Sequence, residues 1–250
     1  MKKALKIISY LVLTLIVLLV VAFFSFNQKR PVGVKGEKAE ALAQKMMQAV
    51  NKSAWDTTAH ISWTTPDGKT WIWDKKRNFA QLEWKNNKVL LDINKISGKV
   101  WTDQIAITDP VTAQKSIQKA YERFINDAFW LNPVVKFYDD GVERSLVTLA
   151  DGREGLLVSY TSGGVTPGDA YLWLADANGL PTAWQMWVKI LPLGGLEFSW
   201  GDWITLPTGA KVATMHVAKG LGLEITKSNV KSETNLGGLS EKTGLFSALE

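Results

Sequence analysis

Residues 169–190, DAYLWLADANGLPTAWQMWVKI, constrain this chain most, because they read as two apolar strands joined by one legible turn. Asn178-Gly179 predicts a type I′ hairpin, since both residue types tolerate the positive φ that such a turn demands. On the returning strand, after Pro181, the residues Trp184, Met186, Val188 and Ile190 share one face, with Gln185, Trp187 and Lys189 opposite. One apolar face needs a core, so a half-buried antiparallel sheet is expected.

The same period of two runs through much of the chain. Ala59, Ile61 and Trp63 alternate before the turn Pro66-Asp67-Gly68, then Trp71 with Trp73, and Ala80, Leu82 and Trp84. Asn86-Asn87 and Ser97-Gly98 turn into two further strands, giving a meander of about five short strands whose brief connections imply antiparallel neighbours. Later strands are expected at 134–138, 142–149, 155–161, 196–203, 210–217 and 223–226. Two segments carry helical spacing instead. Residues 37–51 place Ala39, Leu42, Ala43, Met46, Met47 and Val50 on one stripe, and 112–129 do the same with Ile117, Ala120, Tyr121, Phe124, Ile125 and Ala128. Asp109-Pro110 supplies an N-cap and a first-turn proline for the second helix.

The amino terminus is set apart by composition. Residues 7–26 carry no charge over 20 positions, enough for a helix of about 30 Å that matches a bilayer core. The exit 22–28 lacks a small-x-small cleavage pattern, so an uncleaved signal anchor is expected. Lys2, Lys3 and Lys6 precede the span and Lys29 with Arg30 follow it, which favours the N-terminus inside and the body of the protein outside the cytoplasm, periplasmic in a Gram-negative cell. These five account for the whole net charge of +5, leaving 24 basic residues against 24 acidic in the remainder. A neutral body argues against nucleic acid as a partner. The expected organisation is an anchor over 1–30, a linker over 31–36, one β-rich domain over 37–235 and a loosely held tail over 236–250.

Chemistry-bearing residues are sparse. Cysteine is absent, which removes disulfides, thiolate metal sites and lipid acylation. His60 and His216 lack a second ligand type at metal spacing, so no metal site is assigned. The contexts of Ser162 and Ser199 do not form G-x-S-x-G, and neither Gly194-Gly195 nor Gly237-Gly238 has the spacing of a phosphate loop. Asp139, Asp140, Asp169 and Asp202 sit beside glycine at strand ends, as turn formers do. No catalytic residue, no enzymatic activity and no cofactor is expected. Tryptophan is the excess: 12 residues, all after position 54. A buried indole is worth on the order of 4–6 kcal/mol, from ~150–250 Å² at ~25 cal/mol/Å². Most must therefore lie inside the fold or line a concavity.

The order helix, meander, helix, further strands resembles the fold of the periplasmic lipoprotein carriers and their lipoprotein-like relatives (LolA/LppX-like). The matching pieces are the stripe from Ala39 to Val50, Lys69-Thr70-Trp71-Ile72-Trp73, and Leu172-Trp173-Leu174-Ala175-Asp176 with Gly179-Leu180-Pro181. The run Asp127-Ala128-Phe129-Trp130-Leu131 with Pro133, and Asp139-Asp140-Gly141-Val142, are similar to motifs of an uncharacterised, membrane-anchored branch. The resemblance implies a mainly β (α+β) fold, an incomplete antiparallel β barrel closed by the two amphipathic helices and preceded by the transmembrane helix. It also implies a hydrophobic cavity for a lipid or acyl ligand. The expected lining is Trp71, Trp73, Trp84 and Phe124, with Trp130, Trp184 and Met186. The alternatives are a Trp-rich carbohydrate- or cell-wall-binding module and a structural envelope protein without ligand; no protein partner is indicated.

Overall fold

A computed structural model describes residues 2–162, 166–234 and 244–250, apart from several side chains of the first helix. The chain begins with α1 (Lys2–Phe26), α2 (Glu37–Ala49) and α3 (Lys52–Thr57). A meander follows: β1 (His60–Thr64), β2 (Thr70–Asp74), β3 (Phe79–Trp84), β4 (Asn87–Asp92), β5 (Ser97–Thr102) and β6 (Ile105–Ala106). Then come α4 (Pro110–Phe129), a 3-10 turn (Pro133–Lys136), β7 (Val142–Thr148), β8 (Glu154–Tyr160), β9 (Ala170–Ala175) and β10 (Pro181–Trp187). The last strands are β11 (Leu196–Ser199), β12 (Gly201–Thr205), β13 (Lys211–Val217), β14 (Glu224–Thr226) and β15 (Ser228–Glu233), before a final 3-10 turn (Ser247–Leu249).

The strands form three antiparallel sheets: β15-β1-β2-β3-β4-β5-β6, β11-β10-β9-β8-β7 and β12-β13-β14. Among the described residues the fold is mainly β with four α-helices, and no barrel closes. Two joints link the sheets. β14 passes through Lys227 directly into β15, and the bridge Phe198↔Ala218 ties β11 to the end of β13. The core lies inside this curve, with α2 and α4 packed onto it through Ala39, Ala43, Met46, Ile117, Ala120 and Phe124, the stripes their spacing predicts. The cap expected at Asp109 forms as its side chain accepts from the Thr112 N–H at 2.8 Å.

Several expectations need correction. The turn at Asn178-Gly179 is not a two-residue I′ turn, because only Gly179 has positive φ, at 88°. Asp176 organises a longer loop instead: its carboxylate accepts from the N–H groups of Asn178 and Leu180, and its carbonyl from Gly179. On β10 the core face holds through Trp184, Met186 and Val188 and then ends, leaving Ile190 72% exposed. Residues 134–138 are not a strand; the 3-10 turn after Pro133 buries Val134, Val135 and Phe137 beneath the sheet. Residues 196–203 are two strands, because the Trp200 side chain turns into the core between them while its backbone N–H donates to the Thr182 carbonyl at 2.7 Å. α3, and the pairing of β15 with β1, were outside the sequence pattern.

The linker and the described part of the tail, which was expected to be loosely held, are both docked. The linker at 31–36 exchanges two 2.8 Å backbone hydrogen bonds between Val34 and Leu146, and Arg30 donates to Ser159 Oγ at 2.6 Å. This strap crosses the outer face of the five-stranded sheet, where Val147, Leu157, Ala170 and Leu172 form a small second core. Of the tail, 236–243 lie outside the described residues, but Phe246 is 1% exposed against Phe79, and Glu250 pairs with Arg77. α1 is described only in part, and among the described residues no helix is long and apolar enough to cross a membrane.

Gly179 packs the hairpin onto α2: a Cβ there would meet Lys45 Cγ at 2.8 Å and the Lys45 carbonyl at 2.9 Å. Gly220 has φ 77° and open space around it. Gly179→Ala should therefore lower unfolding free energy by about 2–3 kcal/mol and Gly220→Ala by about 1 kcal/mol, the second isolating the backbone cost alone. Urea denaturation of the two variants checks this, and equal losses would refute the packing role of the turn.

Candidate functional site

The interior between the sheets and α4 is an aromatic layer built by strand alternation. On β1 and β2, Trp63, Trp71 and Trp73 face inward and meet Phe124 of α4, with ring centroids 6.3, 5.3 and 5.2 Å from it. A second group gathers where three elements converge. Trp184 of β10 lies 4.8 Å from Trp130 at the end of α4, 4.8 Å from Trp173 of β9 and 4.9 Å from Trp200. Tyr171 stacks on Trp184 at 4.4 Å, and the His216 ring of β13 meets Trp200 at 4.2 Å.

Of the expected lining, Trp71, Phe124, Trp130, Trp184 and Met186 are buried, and Trp73 and Trp84 are partly buried against the same core. The structure splits them. Trp71, Trp73 and Phe124 form one cluster, Trp130 and Trp184 another beside Met186 on β10, and Trp84 stands at the end of β3 outside both. Their neighbours are mainly one another's rings. A shallow groove of about 500 Å³ lies elsewhere, at Pro110, Val111, Gln114, Lys115 and Gln118 on the outer side of α4.

Sequence reasoning missed Trp63, Trp173, Trp200 and His216 as members of the layer. Alternation already placed Trp63 inward, and Tyr171 with Trp173 share a face of β9. Trp200 carried no such signal, since it sits at a break between strands. Sequence also missed a polar feature: the indole N–H groups of Trp63, Trp173, Trp184 and Trp200 are buried without a hydrogen-bond partner among the described residues. Buried indoles normally find an acceptor, and an unpaired buried donor costs about 1–3 kcal/mol. The Tyr160 hydroxyl is likewise unpartnered, and burial pushes its phenol up.

Where α4 meets the sheet, charge replaces aromatics. The Trp71 indole donates to Asp127 Oδ2 at 3.0 Å, and Arg123 Nε donates to the same oxygen at 2.7 Å while its Nη2 reaches both Asp67 oxygens at 3.1 Å. Burial pushes the Asp67 carboxyl up, but hydrogen bonds from Lys69 and Thr65 and the charges of Arg123 and Lys69 outweigh it and hold the group well below the usual carboxylate range. Burial pulls the Lys227 ammonium down and the charges of Asp127 and Asp67 oppose that. The ion pairs clasp α4 to the β1–β2 turn.

The two histidines lie in different sheets. His60 is 3.4 Å from Asp74 on the neighbouring strand, while His216 Nε2 meets the Trp130 carbonyl at 3.0 Å. Among the described residues no group of three or more His, Asp or Glu is placed to hold a metal ion. Asp169 is a turn former, its carboxylate accepting from Thr166 and from the Lys189 N–H. The less buried indoles do not form a shared platform: Trp101 lies under Lys88 Nζ at 4.5 Å, Trp187 donates to the Gln28 carbonyl and Trp203 to that of Pro181.

No family model and no curated protein matches the chain. Among solved structures, a DUF1329 family protein from Desulfovibrio piger is similar with a TM-score of 0.44 and 12% identity, covering 86% of this chain and 100% of that one. A putative outer membrane lipoprotein-sorting protein domain from Vibrio parahaemolyticus is similar with a TM-score of 0.32 and 8% identity, covering 81% and 98%. At these scores neither shares enough structure to carry a fold or a function over to this chain.

Burial pulls the His216 imidazole down to about 4, with Lys227 adding to the shift and the Trp130 hydrogen bond opposing it. An unfolded histidine titrates near ~6.5, so the unfolded chain binds the proton first as pH falls. The contribution is full above pH ~6.5 and is lost down to about pH 4, on the order of 3 kcal/mol in total. Denaturation at stepped pH should show this slope in the wild type minus His216→Gln difference, and parallel curves would refute it.

Proposed function

We propose that this protein is a membrane-tethered, extracytoplasmic β domain that takes up a lipid or other acyl ligand between its sheets and α4, without catalysing a reaction on it. The observation that carries the reading is the set of four buried, unpartnered indole donors in an otherwise apolar aromatic layer. An acylated lipid offers what that layer lacks, a long apolar chain together with ester or amide carbonyls that accept from N–H. A sugar would bring more hydroxyls than this interior could satisfy. Uptake requires α4 to move off the sheet, since Phe124 now touches Trp63, Trp71 and Trp73. The Asp127–Arg123–Asp67 network ties α4 to the β1–β2 turn and would oppose such a movement.

Tethering rests on residues 7–26, uncharged within the 25-residue helix α1. At ~1.5 Å per residue those 20 positions span about 30 Å. Among the described side chains of α1, Ile7, Tyr10, Leu11, Leu13 and Val17 are each more than half exposed, and such an apolar helix surface is more stable in lipid than in water. A ligand-binding domain held this way handles or senses lipid beside its own membrane.

Native mass spectrometry of the full-length protein, released from nanodiscs, should record a lipid adduct. The double variant Trp173→Phe, Trp200→Phe keeps one aromatic ring at each site but deletes two donors, so it should fold with reduced stability and retain several-fold less lipid. A wild-type protein that carries no lipid under these conditions would sink the ligand reading.

A further inference from the structure

Gly194-Gly195 has a structural use that its sequence context did not disclose. It receives the chain as it leaves α1. The Gln28 N–H donates to the Gly194 carbonyl at 2.9 Å, the Gly194 N–H donates to Asn27 Oδ1 at 2.8 Å, and Trp187 Nε1 donates to the Gln28 carbonyl at 2.8 Å. Side chains are sterically barred there: a Cβ on Gly194 would lie 2.5 Å from Trp187 Cδ1, and one on Gly195 would lie 2.6 Å from Gln28 Cβ. The β10–β11 loop is thus fastened two residues beyond the end of the helix.

That loop reads Lys189-Ile190-Leu191-Pro192-Leu193, with Ile190 72% and Leu191 37% exposed. A second loop, Lys219-Gly220-Leu221-Gly222-Leu223 between β13 and β14, sits at the same end of the strands. The Lys219 N–H donates to the Glu197 carbonyl at 2.9 Å, beside the start of β11, and Phe198 bridges Ala218. Leu221 is 65% and Leu223 55% exposed. Single exposed apolar residues are ordinary on a protein surface. Four large ones on two adjoining loops, beside the exit of an apolar helix and flanked by Lys29 and Lys189, are a patch with a position.

We propose that the β10–β11 and β13–β14 loops form a bilayer-contact surface, inserting Ile190, Leu191, Leu221 and Leu223 into the interface of the membrane that holds α1. This rests on the reading of α1 as an anchor. Chain geometry allows it: Ile190 is four residues from Gly194, a reach of at most ~14 Å, and peripheral apolar groups sink ~5–10 Å into the headgroup region. Lys29 and Lys189 would then face lipid phosphates, and Trp187 would sit at interfacial depth, where indoles are favoured. Insertion fixes the domain's orientation, so that lipid leaving the bilayer meets the same end of the sheets every time.

The chain has no cysteine, so single-cysteine variants can be labelled cleanly with an environment-sensitive fluorophore. Full-length I190C, L221C, L13C in α1 and I105C on edge strand β6 would each be placed in nanodiscs of phosphatidylcholine mixed equally with phosphatidylglycerol. The expected result is blue-shifted emission at positions 13, 190 and 221, quenched by doxyl-labelled phosphatidylcholine, with position 105 aqueous. If position 13 responds while 190 and 221 behave like 105, the anchor stands and the loop proposal falls. A blue shift at 190 and 221 that doxyl lipid does not quench would mark a protein partner or a second copy there, and overturns the bilayer contact. An aqueous signal at position 13 removes the anchor reading itself, and this proposal with it.

Discussion

Trp184 is the point on which the rest of the structure depends. Fully buried, it touches Phe129 and Trp130 at the end of α4, Tyr171 and Trp173 on β9, and Trp200 at the break between β11 and β12. One side chain thereby joins the five-stranded sheet, the approach to the three-stranded sheet and the helix that crosses the seven-stranded one. Its burial is worth on the order of 4–6 kcal/mol, a sizeable fraction of the ~5–15 kcal/mol by which a domain is stable. The break at Trp200 follows from it, because only by turning inward at that residue can the chain leave the edge of β10 and start against β13.

Around this centre, polar groups settle orientation rather than strength. Asp127 collects the Trp71 indole and the Arg123 guanidinium on one oxygen, which sets the rotation of α4 against β2. His216 is held neutral by burial and fixed by the Trp130 carbonyl, so the aromatic layer carries no net charge at its middle. The unpartnered indole donors of Trp63, Trp173, Trp184 and Trp200 stand out against this satisfaction.

Much of the fold was legible because its signals are local. Alternation on β2 marked Trp71 and Trp73, and the three-four spacing of Ile117, Ala120 and Phe124 marked α4 and its buried face. Asp109-Pro110 marked where that helix begins. The misreadings share one cause. At Pro133–Lys136 an apolar run looked like a strand, yet burial from all sides suits a compact turn equally well. At 196–203 alternation continued through a residue that changes sheets. The turn at Asn178-Gly179 was marked by its glycine, but Asp176 was already placed to bond two N–H groups and drew the loop out to five residues.

For the candidate site, sequence put seven residues on a lining and the structure distributed them over two aromatic clusters and one strand end. Sequence by itself determined the periodicities, the caps, the apolar amino-terminal helix and the neutrality of the body, because each depends on residues a few positions apart. Only tertiary structure decided that Gly194-Gly195 cradles Gln28, that β15 returns to pair with β1, and that Trp200 and His216 share a cluster with Trp184. Those contacts join residues up to 173 positions apart in sequence, as in the pair His60↔Glu233. No local pattern encodes such a distance; it is fixed when the burial of several faces at once leaves the chain a single way to close.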